Sequence, residues 1–293
     1  MQEKIEILPV TLLDQHRETV TELKRMAHSL GLDFGWHYLL DLTWIVERLG
    51  PIDGKSIMDA GAGIGVMQWY LADHGAQVIS VDRHSRADLP LRFRSRFHVR
   101  GARKDDLTPA AQVFRDNLNT QSKLSVKLSS QARDLVGLAD WRRAKGAVTI
   151  YNQDIKHMLD IADDSIDAVV AVSALEHNQP EDLESVVAEL MRVLKPGGIL
   201  LATLGAARDQ DWYHEPSHGW CYTDTSLRRY FDLPPDLPSN YEHYDELFAA
   251  LRDCTDLRDN LAKFYFKSGD NGMPWGIWDP HYQSVGVCKI KQA

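Results

Sequence analysis

The sequence predicts an α/β fold, a mostly parallel sheet with helices on both faces. Three observations lead there. Short apolar runs suited to buried parallel strands alternate with segments of helical period. The first run, residues 56–60 (SIMDA), passes directly into Gly61, Gly63 and Gly65 and then into residues 66–71 (VMQWYL), which read as strand, turn and helix. A second run, residues 77–81 (QVISV), ends on Asp82, a carboxylate about 20 residues past the glycine turn, where it can accept the hydroxyls of a ribose.

The glycine turn is suited to a nucleotide. Without a Cβ the backbone turns sharply, and a ligand can approach the N-terminus of the following helix. Val66 stands where a dinucleotide fingerprint carries its third glycine, which favours a ligand with one nucleoside and no pyrophosphate.

The remaining elements follow in order. Residues 19–30 and 35–49 carry apolar stripes at helical spacing, and Pro51 and Gly54 then break the chain before the first strand. Residues 148–151 read as a third strand, followed by Asn152-Gln153-Asp154-Ile155. Asp154 is placed to accept from an adenine amino group while the next backbone N–H donates to the ring. Residues 165–172 are a fourth buried strand leading to Ser173-Ala174-Leu175-Glu176-His177, a helix over 180–194, and a fifth strand over 199–204.

Taken together, DAGAGIG (59–65), VISVD (78–82), NQDI (152–155), DSIDAVVAVSALEH (164–177) and LKPGGILLAT (194–203) resemble, in order, the motifs of the class I S-adenosylmethionine-dependent methyltransferases, in their small-molecule branch. The resemblance covers residues 56–82 and 147–204. It implies a Rossmann-like, seven-stranded, mostly parallel sheet whose last strand is antiparallel. It implies S-adenosyl-L-methionine as cofactor, bound by Asp59, Gly61, Ala62, Gly63, Asp82, Arg83, Asp154, Ile155 and Ser173. It also places the helices before the first strand over the cofactor's methionine end, making Trp36, His37 and Tyr38 candidates for its wall beside their plainer reading as core.

The expected organisation is an N-terminal helical cap over 1–54, a cofactor-binding core over 55–82 and 147–293, and an insertion over 83–146 acting as a substrate lid or dimerisation element. That insertion holds 15 Lys and Arg against 6 Asp, a net of +9, in a chain whose formal charge is −9, so the remainder carries −18. Residues 91–100 (LRFRSRFHVR) alternate apolar and basic. If extended, they put Leu91, Phe93, Phe97 and Val99 on one face and Arg92, Arg94, Arg96, His98 and Arg100 on the other. Guanidiniums in a row suit phosphate or carboxylate recognition. The competing reading is a basic face that balances the acidic body. Residues 108–119 and 130–145 have helical patterning.

Beyond the fifth strand, residues 205–223 read as a long polar loop containing His214-Glu215-Pro216-Ser217-His218, a literal H-E-x-x-H. Pro216 and the following Gly219 argue against the regular helix a zinc site of that kind needs, so no metal is expected. Thr223 or Thr225 can cap a helix near 226–231, and a further helix is expected over 244–261. Strands are expected over 262–267 and 283–291. The long excursions after the second, fifth and sixth strands all leave from carboxyl ends, where open α/β sheets bind ligands. Trp212, Tyr213, Trp220, Trp275 and Trp278 are the aromatic candidates for pocket walls.

For methyl transfer to a hydroxyl, a histidine base is the usual aid near neutral pH, and His177, His214 and His218 are the candidates. The expected acceptor is a small molecule, a sugar hydroxyl or an anionic metabolite. Nucleic acid is disfavoured, because Ser173–His177 lacks the tetrapeptide that base amino-methylating enzymes carry. Two alternatives stand beside this: an NAD-dependent oxidoreductase and a non-catalytic S-adenosylmethionine-binding subunit. With 293 residues at 44% hydrophobic composition the chain can bury a full core. Three cysteines without close spacing imply neither a disulfide framework nor a zinc cluster. No run is long enough for a membrane span and no apolar leader opens the chain, so a cytoplasmic location and a possible homodimer complete the expectations.

Overall fold

The structure, a computed structural model, describes residues 2–32, 34–120, 143–259, 273 and 277–292. Its centre is strand β2, Ser56–Ala60, where Ile57, Met58 and Ala60 are fully buried. Burial of successive residues, Asp59 among them, is what a strand in a parallel sheet covered on both faces shows. On one side β2 pairs in parallel with β3, Gln77–Asp82, and β3 with β5, Ala147–Asn152. On the other it pairs in parallel with β6, Ile166–Val172, and β6 with β7, Leu194–Ala206.

The chain therefore builds outward from β2 in one direction and then returns to build in the other. The switch point lies between β2 and β6. At such a point the loops leaving the carboxyl ends diverge and open a crevice. β10, Gln283–Ile290, runs antiparallel along β7, as expected of the last strand.

Among the described residues the sheet has ten strands, against an expected seven. Four strands are additions, and one expected strand lies outside the described residues. β1, Lys4–Ile7, lies antiparallel along β10 with Ile5 and Ile7 fully buried, where only helices were expected. Residues 205–223, expected as a loop, hold a small hairpin. Its strand β8, Trp212–His214, is antiparallel to β9, Gly219–Tyr222, and β9 joins β7. Finally β4, Val99–Gly101, adds to the outer edge of β5. The sixth strand expected over 262–267 and most of the helix expected over 130–145 lie outside the described residues.

The segment 91–100 is not extended. It forms helix α5, Leu91–Arg96, and only then strand β4. Phe93 and Phe97 are four residues apart, a spacing that puts side chains on one face in either a strand or a helix. Both rings pack on Trp69, at centroid distances of 4.7 and 5.0 Å. Trp69 belongs to helix α4, Val66–Asp73, which follows the glycine turn. Both phenylalanines and Trp69 are fully buried, so this part of the insertion completes the core beside the glycine turn.

The guanidiniums of the same segment are engaged within the chain. Arg92 Nε donates to the Leu30 carbonyl at 2.9 Å, at the C-terminus of helix α2, Arg17–Leu30. Arg94 reaches the carbonyls of Leu89, Ala87 and Thr108 at 2.8, 2.6 and 2.5 Å. Arg96 lies 3.4 Å from Asp73, and Arg100 Nε donates to Thr149 Oγ1 at 3.0 Å. The row of arginines is thus a set of internal clasps rather than an open anion fork.

Candidate functional site

The glycine turn after β2 is held from three directions. The Gly61 and Ala62 amides donate to the Val81 carbonyl at 2.9 and 3.1 Å, and the Gly63 amide donates to Asp82 Oδ2 at 2.8 Å. Gly61 has φ +74°, and a Cβ there would sit 2.5 Å from the Ala174 Cβ. Only glycine fits that position in both conformation and space. Behind the turn, the amide of Gln68 reaches the carbonyls of Gly63 and Gly65 at 3.2 and 3.3 Å and accepts from Ser80 Oγ at 2.8 Å. Gln68 is a polar residue in an otherwise apolar helix, a signal of this role that was present in the sequence.

In front of the turn lies a cavity of 740 Å³. It follows the carboxyl ends of the strands in sheet order: Asp154 and Ile155 after β5, Asp82 and Arg83 after β3, Asp59, Gly61, Ala62 and Gly63 after β2, and Ser173 after β6. All nine residues expected to bind a cofactor line this one space. Asp82 Oδ1 also accepts from the His84 amide at 2.7 Å, so two backbone N–H groups fix its carboxylate. Asp154 is oriented the same way, with Oδ1 accepting from the Lys156 amide at 2.9 Å.

Asp59 is 2% exposed. Burial pushes its carboxyl up to about 7; the nearby Arg86 guanidinium opposes that rise and the Asp82 carboxylate adds to it.

Past β6 the cavity changes character. Phe34, and Tyr38 and Leu42 of the helix Tyr38–Leu49, wall it on one side, and Tyr213, Ser217 and His218 from the β8–β9 hairpin on the other, with His177, Asn178 and Gln179 between. Trp36 and His37 do not line it. Trp36 is edge-on to Trp278 and Tyr282 in the core, and His37 Nδ1 donates to the buried Asp41 carboxylate at 2.6 Å. Of the aromatic candidates, Tyr213 alone lines the cavity; Trp212, Trp220 and Trp278 do not, and Trp275 lies outside the described residues.

The three candidate histidines separate. His177 sits in a single 3-10 turn, Leu175–His177, and its Nδ1 donates to the His218 carbonyl at 2.9 Å. That bond fixes the tautomer and leaves Nε2 as a proton acceptor. His218 lines the cavity with φ +51°. His214 lies outside it: the residue ends β8, is 3% exposed, and its ring packs 5.1 Å from Tyr282. Burial, and then His281, lowers its proton affinity. With His214 on a strand and His218 beyond a 3-10 turn, Glu215–Ser217, the two rings do not share a helix face.

Two further groups stand in this region: Glu176, for which the sequence offered no role, and Tyr38, expected as a wall residue. Glu176 is 6% exposed and accepts from Ser173 Oγ at 2.5 Å, and burial raises its carboxyl above the ordinary range. Tyr38 is pushed up to about 12 by burial, then by Glu176 and Asp41. A Cβ on Gly219 would meet Glu176 Cγ at 3.1 Å and His177 Cε1 at 3.7 Å, so the glycine lets the hairpin close over this pair.

Comparison with known proteins agrees with this geometry. A family described as a methyltransferase domain matches residues 110–202. Over that stretch, about a third of the chain, the sequence is similar to this methyltransferase family. Curated proteins similar to part of the chain include ubiquinone biosynthesis O-methyltransferases. That of Leptothrix cholodnii is 38% identical over 48 residues, 16% of this chain and 20% of its own length. That of Acinetobacter baumannii is 34% identical over 79 residues, 27% of this chain and 28% of its own. The chain thus spans less than a third of these relatives.

A solved structure, phosphoethanolamine N-methyltransferase 2 of Haemonchus contortus in complex with phosphomonomethylethanolamine and S-adenosylhomocysteine, superposes with a TM-score of 0.51. It covers 96% of this chain and 60% of its own at 16% identity, a likeness of fold. Among the described residues no helix is long and apolar enough to cross a membrane.

Proposed function

We propose that this chain transfers a methyl group from S-adenosyl-L-methionine to a hydroxyl of a small-molecule acceptor, a sugar or similar polar metabolite. The observation that carries the reading is the 740 Å³ cavity in which Asp82, Asp154 and the glycine turn face one space. A nucleoside fits this cradle. Asp82 retains lone pairs for two ribose hydroxyls, Asp154 faces the base end, and the backbone of Gly61 and Gly63 admits close approach where a side chain would fill the space.

When bound, the cofactor supplies an electrophilic methyl carbon on a positively charged sulfur. The protein's part is to position the acceptor in line and to take its proton. Asp59, at the end of β2, faces the amino-acid portion. Phe34, Tyr38 and Tyr213 wall the acceptor end, where Asn178, Gln179 and Ser217 offer hydrogen bonds to hydroxyls. His177 Nε2 takes the acceptor proton, because its Nδ1 proton is committed to the His218 carbonyl. Among the described residues no Lys or Arg lines this end, and the arginines of residues 92–100 are held by carbonyls and side chains of the same chain. That supports an acceptor recognised through hydroxyls and ring faces.

The test is incubation with methyl-deuterated S-adenosylmethionine and a panel of hydroxylated metabolites. Mass spectrometry should find the label on an acceptor oxygen. Hydride transfer from NADH, with no label transferred, would replace this reading with the oxidoreductase one.

A further inference from the structure

Arg86 lies four residues past Asp82, in the insertion, yet its side chain turns back beneath the glycine turn and is 5% exposed. Nη2 donates to the carbonyls of Ser80 and Tyr151 at 2.9 and 2.7 Å. Nη1 donates to Ser80 Oγ and, at 3.4 Å, to the Gly63 carbonyl. The Arg86 amide is fixed by Asn152 Oδ1 at 3.0 Å. One guanidinium therefore ties together β3, the end of β5 and the turn after β2. Every described hydrogen bond of its side chain goes to a neutral oxygen, so none of them cancels its positive charge.

Buried acids surround it. Asp59, Asp82 and Asp106 are 2%, 8% and 4% exposed. Asp106 is occupied by the Asn152 and Arg103 amides at 3.0 and 2.7 Å. Asp59 and Asp82 face the cavity. His84 Nδ1 stands 3.4 Å from Asp82, on the solvent side, and Arg83 lines the cavity mouth. Two carboxylates facing one buried space repel each other, and the Asp82 charge adds to the rise of the Asp59 carboxyl.

We infer that Arg86 is a positioning residue for the cofactor: its buried guanidinium holds the glycine turn in its ligand-ready shape and supplies the charge that lets Asp59 and Asp82 face one cavity. The inference rests on the proposed cofactor reading. It gives the first residues of the insertion a part in cofactor binding as well as in the core. A merely structural Arg86 and a charge-supplying one differ in a measurable way. Without the charge Asp59 ionises only at higher pH, and affinity returns once it does.

The experiment is calorimetric titration of S-adenosylhomocysteine from pH 5.5 to 9 into the wild-type chain, Arg86→Met and Arg86→Lys. Wild type should bind, with affinity falling on the acid side as Asp59 takes a proton. Arg86→Met loses both fork and charge: beyond the loss shared with Arg86→Lys, its fall should move upward by about one pH unit, a further loss near neutral pH of about tenfold, with recovery at pH 9 to the level of Arg86→Lys. Arg86→Lys keeps the charge and loses the fork, so its fall should stay in place while affinity drops by a similar factor at every pH. Should Arg86→Met not fold, a displaced fall in Arg86→Lys overturns the inference and an unmoved one upholds it. A uniform loss across the pH range in Arg86→Met also overturns it. Absence of binding by the wild-type chain at every pH would sink the cofactor reading itself.

Discussion

Asp59→Asn should make the unliganded protein more stable while weakening cofactor binding. Asp59 is 2% exposed and its carboxyl is raised from 3.8 to about 7, with burial the largest cause. The sign follows from which state holds the proton. Below about pH 4 both folded and unfolded chains carry a neutral Asp59, and the residue has no electrostatic cost. Between about 4 and 7 the unfolded chain releases its proton and the folded one does not, so the penalty grows with pH. Above 7 it is complete, and three units at ~1.36 kcal/mol each set its ceiling at roughly 4 kcal/mol.

Asparagine removes the charge but leaves a buried amide to satisfy, so a net gain of roughly 1–3 kcal/mol at pH 8 is expected. Urea denaturation of both proteins at pH 8 and pH 5 measures it. The gain should be present at pH 8 and shrink toward zero at pH 5. A gain equal at both pH values, or a loss at pH 8, would refute the reasoning.

Other outcomes follow from the same geometry. His177→Ala should lower turnover by about 10² while S-adenosylhomocysteine affinity stays near wild type, if His177 takes the acceptor's proton as proposed; a parallel loss of both would remove it from that role. Gly61→Ala places a Cβ 2.5 Å from the Ala174 Cβ at φ +74°, and should reduce stability by about 1–3 kcal/mol and impair cofactor binding, read by thermal melts with and without S-adenosylhomocysteine. Arg94→Met leaves the Leu89, Ala87 and Thr108 carbonyls unpaired, so stability should fall by about 1–3 kcal/mol. The acceptor KM should hold, and a raised KM in a protein of unchanged stability would point instead to anion recognition.

The convergence of the glycine turn and the strand-end acids on one cavity was legible in the sequence because its physics is local. A strand, a turn that needs glycine and an acid on the next strand occupy fixed spacings, and Asp59, Gly61, Gly63 and Asp82 all stand in one cavity. The acceptor half is assembled from distant segments. Nothing in the chemistry of Tyr38 or Tyr213 says that the N-terminal helices and the β8–β9 hairpin close on the same space, and His214 and His218, four residues apart, end on opposite sides of a wall. The conformation of residues 91–100 was open in the sequence for a related reason. Phe93 and Phe97 satisfy a strand period and a helix period equally, and only the Trp69 surface chooses between them. Arg86 was invisible because a burial determined by tertiary contacts leaves no mark on a basic run. β1, four residues long, is a strand only because β10 offers it an edge.

The most direct measurement is S-adenosylhomocysteine affinity for the wild-type chain, Asp82→Ala and Asp154→Ala, with NADH as competitor. One molecule per chain should bind the wild type without competition from NADH. Asp82→Ala should weaken it about tenfold or more, through the lost ribose hydrogen bonds, and Asp154→Ala should weaken it less. Binding indifferent to both substitutions, or displaced by NADH, would contradict the assignment of this cavity.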